Sequence, residues 1–259
     1  MNRGERIRGG AIAAESRSCG FISHGAALLR RFMRHKRFAR HASSGVDRHI
    51  AYHRLLDALE RPGCPVCALL AEGTAGWFDS LFREMVNDPE IRLRIRRSLG
   101  FCKGHADVAA ARGAALGLAL IYQDVVEHAL ERLRRRGSGP GGRALAVCPA
   151  CEDELVRAAT YVRTLADYLV DPAVQSAYAA SDGLCIRHVE MLVDVSADSV
   201  LDLVVANEVI RLDALASDLR EFIRKSDYRF GGEPFGNERD CVRRAASKCS
   251  GARTAAEDG

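Results

Sequence analysis

Two cysteine doublets of the form C-P-x-C, each followed at nearly the same distance by a C-x-x-H, occur in this 259-residue chain. The first set is Cys64, Cys67, Cys102 and His105, with 34 residues between its two doublets. The second is Cys148, Cys151, Cys185 and His188, with 33 residues between them. Other punctuating residues keep the same register: Asp88-Pro89 and Asp171-Pro172, then Gly100 and Gly183, each pair 83 positions apart. So many landmarks in step indicate an internal duplication, with one residue lost inside the first helix of the second copy.

A proline directly after a cysteine suits the first turn of a helix, because its missing N–H is not needed there. Cys64 and Cys148 are thus expected at helix N-caps, with Cys67 and Cys151 one turn on and on the same face. The doublets Cys102/His105 and Cys185/His188 repeat this arrangement. Two helix N-termini facing each other within each copy would bring three sulfurs and one imidazole to a common point. Three thiolates, a neutral imidazole and Zn2+ sum to a formal charge of −1, which the partial positive charge of helix N-termini favours. The expectation is one Cys3His site per copy, two Zn2+ per chain. An iron–sulfur cluster is the main competing cofactor, since cysteine ligation with one histidine is possible chemistry there too. A metal-free alternative treats each CPxC as a redox dithiol activated by its helix. Against that, such dithiols normally follow a strand in a βαβ unit, and no strand pattern occurs here.

The rest of the chain reads as helical. Ile50, His53, Leu55, Leu56 and Leu59 fall at helical spacing, and Arg61-Pro62-Gly63 ends that run. A helix from Cys64 to about Val86, a short one from Pro89 to Leu99 and a long one from Cys102 to Arg136 should follow. Past the Gly137–Gly142 linker the programme repeats: a helix from Cys148 to about Val170, a short helix, and a long stretch from Cys185 to Lys225, interrupted near Ser196. A last helix is expected over Asn237–Lys248. The fold class is all-α, with two pseudo-repeated units, each holding its own metal site, and with the long helices packed together. The segments are a basic leader, 1–45, expected to be disordered; repeats at 46–136 and 148–226; a linker at 137–147; and a C-terminal segment at 227–259.

Charge is unevenly placed. Residues 1–49 carry eleven Lys or Arg against three Asp or Glu, so the body is mildly acidic although the whole chain is at +4. Nucleic-acid binding is therefore an expectation for the leader alone. No apolar run is long enough to cross a membrane, and no basic–apolar–cleavage order marks a secretory signal. CxxC pairs without an export signal point to a reducing cytoplasm. Cys19, Cys241 and Cys249 fall outside the repeat and are expected to be incidental thiols. His49 and His53 are four apart but stand alone; Asp124, Glu127 and His128 have no counterpart acid–His set in the second copy. Trp77, Phe78, Leu81 and Phe82 suit core packing. No phosphate-binding Gly loop, nucleophile elbow or HExxH pattern is present.

These motifs resemble an uncharacterised prokaryotic family, a domain of unknown function with paired CPxC and G-[FL]-C-x2-H signatures. The resemblance starts at H-I-A-Y-H-R-L-L-D-A-L-E and R-P-G-C-P-V-C, runs through both repeats and ends at D-Y-R-F-G-G-E-P-F-G-N-E-R-D, covering about residues 47–251. It implies no activity. Closed four-ligand sites point to a non-enzymatic interaction or regulatory protein acting on a protein partner. A redox protein using iron–sulfur clusters or dithiols is the alternative.

Overall fold

The computed structural model describes residues 50–134 and 145–251. Among these residues there are ten α-helices and no strand. The first half contributes α1 (Ile50–Leu59), α2 (Pro65–Ser80), α3 (Pro89–Arg97), α4 (Lys103–Ala111) and α5 (Ala115–Arg134). The second contributes α6 (Pro149–Tyr168), α7 (Pro172–Ala180), α8 (Ile186–Val193), α9 (Asp198–Lys225) and α10 (Cys241–Ser250). The leader, Cys19, His49 and the Gly137–Gly142 linker lie outside the described residues.

The helix starts follow from local chemistry. Pro65 and Pro149 occupy the first turns of α2 and α6, and Pro89 and Pro172 those of α3 and α7. Asp88 Oδ1 accepts from the backbone N–H groups of Glu90 and Ile91, and Asp171 Oδ1 from that of Ala173. Each cap satisfies donors that a helix leaves unpaired at its start. A π-helical turn, Leu81–Met85, extends α2. The second long stretch breaks between Val193 and Asp198, near Ser196 as the sequence suggested. The first also breaks, at residues 112–114 around Gly113, where an unbroken helix was expected. Gly113, just past the Arg112 cap, sits at φ +69°, the left-handed conformation in which a glycine ends a helix.

Packing between the halves centres on α2 against α6. The long helices α5 and α9 are not a principal packing pair, contrary to the sequence expectation. Of its twenty residues α5 buries only Ile121 and Val125, so it has little apolar surface to offer α9. The helices α2 and α6 run antiparallel. Thr74 of α2 meets Glu154 of α6, and Gly73 lies so close to Arg157 that an added Cβ would come 2.9 Å from Arg157 Cδ. Each helix therefore starts in one hydrophobic cluster and ends in the other. One cluster gathers Leu55, Leu59, Val66 and Leu69 with Leu165, Leu169, Val174, Leu184 and Val204. The other gathers Phe78, Leu81, Ile95, Val108 and Ile121 with Ala150. Both mix residues of the two halves, and all described residues fall in a single compact unit.

Candidate metal centres

The eight residues singled out by the repeat converge into two groups of four, but with exchanged partners. Centre I joins Cys64 and Cys67 of the first half to Cys185 and His188 of the second. Centre II joins Cys148 and Cys151 of the second half to Cys102 and His105 of the first. The expectation that each unit holds its own complete site is corrected: both sites close between the halves. The reason is reach. With its π turn, α2 spans 21 residues, about 30 Å, and the nine-residue α3 returns only about 14 Å. The C-x-x-H of each half is left near the far end of its own CPxC helix. There the antiparallel partner helix begins.

All four leading cysteines, Cys64, Cys102, Cys148 and Cys185, are N-cap residues, as the prolines indicated for two of them. None uses its side chain to cap the helix, so each sulfur is directed elsewhere. Two helix N-termini thus face each centre, I from α2 and α8, II from α6 and α4. Their partial positive charge favours thiolates.

In centre I, His188 Nδ1 lies 3.4 Å from Cys64 Sγ, 3.5 Å from Cys67 Sγ and 3.1 Å from Cys185 Sγ. The sulfurs of Cys67 and Cys185 are 3.7 Å apart. In centre II, His105 Nδ1 lies 3.2 Å from Cys102 Sγ, 3.7 Å from Cys148 Sγ and 3.3 Å from Cys151 Sγ. Cys102 and Cys151 sulfurs are 3.6 Å apart. A tetrahedral ion with bonds of about 2.3 Å to sulfur and about 2.0 Å to nitrogen sets separations of about 3.5 Å between sulfur and nitrogen and about 3.8 Å between sulfurs. The donor sets fit one ion each. All of the donors are buried except Cys102, which is half-buried.

Electrostatics make the same demand. Contact with Cys102 and Cys151 drives the Cys148 thiol far below its ordinary range, while contact with Cys102 and Cys148 pushes Cys151 far above it. Cys185 falls through contact with Cys64 and Cys67, and Cys67 rises through contact with Cys185 and Cys64. Packed thiolates cannot all ionise together unless a cation joins them. Burial disfavours the charged imidazoles, but the neighbouring sulfurs outweigh it. His188 rises to about 9; His105, with Glu154 as well, rises to about 12.

The surroundings of the two centres differ. His105 Nε2 is 3.0 Å from Glu154 Oε1, which also accepts a 2.7 Å hydrogen bond from Thr74 Oγ1. A carboxylate on the outer nitrogen fixes the tautomer that leaves Nδ1 free to ligate. His188 has no carboxylate within 4 Å among the described residues, and the position matching Glu154 is Leu70, part of the apolar core. Centre I is supported instead through Glu208, buried on α9. Its carboxylate accepts from the Leu184 backbone N–H at 2.9 Å and from the Tyr178 hydroxyl at 2.6 Å. Arg211 Nη1 lies 3.2 Å and Lys248 Nζ 2.5 Å from its oxygens. Gly183, at φ +74°, must stay a glycine, because a Cβ there would fall 2.1 Å from Glu208 Oε1. The loop leading into Cys185 is therefore held by buried charge.

The conspicuous C-terminal signature turns the chain back over centre I. Arg224 pairs with Glu233, Lys225 Nζ lies 2.7 Å from Glu238 Oε1, and the Phe222 and Phe235 rings pack at 5.3 Å. That reversal lays α10 against α8. At its end Gly251 faces the centre: a Cβ on it would stand 3.3 Å from Cys67 Sγ and 3.6 Å from Cys185 Sγ. Cys241 is buried and Cys249 exposed, and neither joins a donor group. His53 and the Asp124, Glu127 and His128 set also stay outside both groups. Asp124 instead holds Arg92 and Arg96 of α3. Trp77, Phe78 and Phe82 pack with Phe101 or one another, as a core role requires. Glu154, Thr74, Glu208 and Gly251 were missed from sequence. A mismatch between the repeats, C-P-A-C-E-D-E against C-P-V-C-A-L-L, was the one available sign of Glu154.

Fold and sites together define a class: an all-helical, internally duplicated protein with two Cys3His groups able to hold metal ions. The chain belongs to the family of unknown function DUF6062, which matches residues 48–141 and 142–256. It is similar to the "Uncharacterized 23.9 kDa protein in xynA 3'region" of Caldicellulosiruptor sp. (strain Rt8B.4), 29% identical over 185 residues, covering 68% of this chain and 88% of that protein. No solved structure matches. No helix among the described residues is long and apolar enough to cross a membrane.

Proposed function

We propose that this is a zinc-binding helical protein in which two structural Cys3His sites staple its halves together, and that it acts by non-enzymatic interaction with, or regulation of, a protein partner. The observation that carries the reading is the convergence of three sulfurs and one imidazole, from both halves, at tetrahedral-edge distances in each centre. Four protein donors fill the coordination of one zinc ion and leave no position for substrate, which is the pattern of a structural site. A cubane iron–sulfur cluster takes each ligand on a different iron and would hold the donors farther apart. Burial of both sulfurs of each CPxC pair also disfavours dithiol exchange, which needs an accessible thiolate.

Metal analysis with a visible spectrum, on protein purified without a histidine tag, tests the reading. Colourless protein with two zinc ions per chain is the expected result. Brown protein with iron and sulfide, or metal-free protein with disulfide-reductase activity, would replace it with the redox alternative.

A further inference from the structure

Resting on that metal-binding reading, we propose that the two centres load cooperatively, each ion raising the affinity of the other site. Two self-contained units would bind their ions independently. Here an ion at centre I ties the start of α2 to the start of α8, and an ion at centre II ties the start of α6 to the start of α4. Both ties cross the same antiparallel α2–α6 contact. The first ion to bind fixes the relative placement of the halves, so the second meets its donors already gathered, at a raised effective concentration.

A specific contact chain carries the coupling between the sites. Helix α2 bears Cys64 and Cys67 of centre I and, two turns on, the buried Thr74. Thr74 Oγ1 donates to Glu154 Oε1, and that oxygen sits 3.0 Å from His105 Nε2 of centre II. The close pass of Gly73 against Arg157 keeps α2 and α6 in this register. An ion that settles α2 at centre I thus places Thr74, which orients Glu154, which holds the imidazole of centre II. Glu154 and Thr74 are positioning residues; neither touches the ion. Coupling in binding free energy is reciprocal, so filling centre II strengthens centre I by the same factor.

The test uses the full chain, stripped of metal, with Co2+ as probe, read by its thiolate charge-transfer and d–d absorption. Cys64→Ser/Cys67→Ser protein, which keeps only centre II, is expected to bind Co2+ there about tenfold more weakly than wild type does at the same centre. Thr74→Val should weaken part of that coupling while both centres still bind. Equal affinity of centre II, within about twofold, in wild type and the double variant would overturn the proposal. Since the double variant could fail to fold, wild-type protein given one equivalent of Zn2+ supplies a second measurement. Native mass spectrometry should find fewer one-ion chains in wild type than in Thr74→Val, whose coupling is weakened, and the same share of one-ion chains in both proteins overturns it. Absence of any cobalt–thiolate absorption in wild type would instead remove the metal reading itself.

Discussion

Centres I and II are each built from one CPxC pair and one C-x-x-H pair, taken in opposite order along the chain, yet their supports have almost nothing in common. At matched positions of the repeat, Tyr178, Glu208 and Arg211 behind centre I correspond to Ile95, Val125 and His128 behind centre II. The loop into Cys185 is held by a buried carboxylate with two cations. The loop into Cys102 is packed among the rings of Trp77, Phe78 and Tyr122 around Phe101. Centre II has a carboxylate on its histidine; centre I has Gly251 across its sulfurs. Ligation constrains the four donors, whereas whatever holds the backbone around them can be apolar or ionic. The two means fail differently. An aromatic cluster loses stability in proportion to what is removed, while a buried ionic hub leaves uncompensated charge when one member goes.

The largest test of this comparison is of which donors share an ion. Cys64→Ser with Cys185→Ser should cost one ion per chain, and Cys64→Ser with Cys102→Ser both, by elemental analysis. Loss of a structural metal removes several kcal/mol, so calorimetry should show each single ligand change lowering Tm by about 10 °C or more. If the Cys64/Cys102 pair costs only one ion, the exchanged pairing is wrong. Next in size is Glu208→Ala, expected to destabilise by about 3–5 kcal/mol in denaturant titrations, because Arg211 and Lys248 lose their buried partner. Its metal loss should be confined to centre I; equal loss from both centres would dissolve the contrast. Glu154→Leu makes centre II resemble centre I, and should weaken Co2+ binding at centre II about 10- to 100-fold in competition with a chelator. Unchanged affinity would show that the carboxylate contact is incidental. Gly251→Ala is the mildest, about 1–3 kcal/mol from backbone strain at φ +80°, with faster zinc transfer from centre I to a chromophoric chelator. Release at the wild-type rate would mean that Gly251 does not cover the sulfurs in solution.

The sequence carried the donors and the helix starts because both are local. Pro65 and Pro149 announce their helices, Asp88 and Asp171 announce theirs, and the eight donors stand out by spacing alone. Partner choice is not local. It depends on the length of α2 against the length of α3, and on the direction in which α2 passes α6. Counting residues in those helices would have shown that a half cannot fold back far enough to meet its own doublet. The expected α5–α9 contact fails for a related reason: length alone does not make a helix pack, and Leu116, Val126 and Leu133 of α5 remain exposed. Glu208 was hidden because a lone glutamate in a long amphipathic helix reads as a solvated residue. Only Tyr178, Leu184 and Lys248, brought from three other segments, make it a hub.

The exchange of donors between the halves also bears on ancestry. One repeat by itself carries two half-complete sets at opposite ends and can finish neither. Two copies of it, related by a twofold axis, would finish both, each copy lending its cysteine pair to the other's Cys–His pair. A single chain that holds both copies has the arrangement of such a twofold pair, and its two sites need not share the same surroundings.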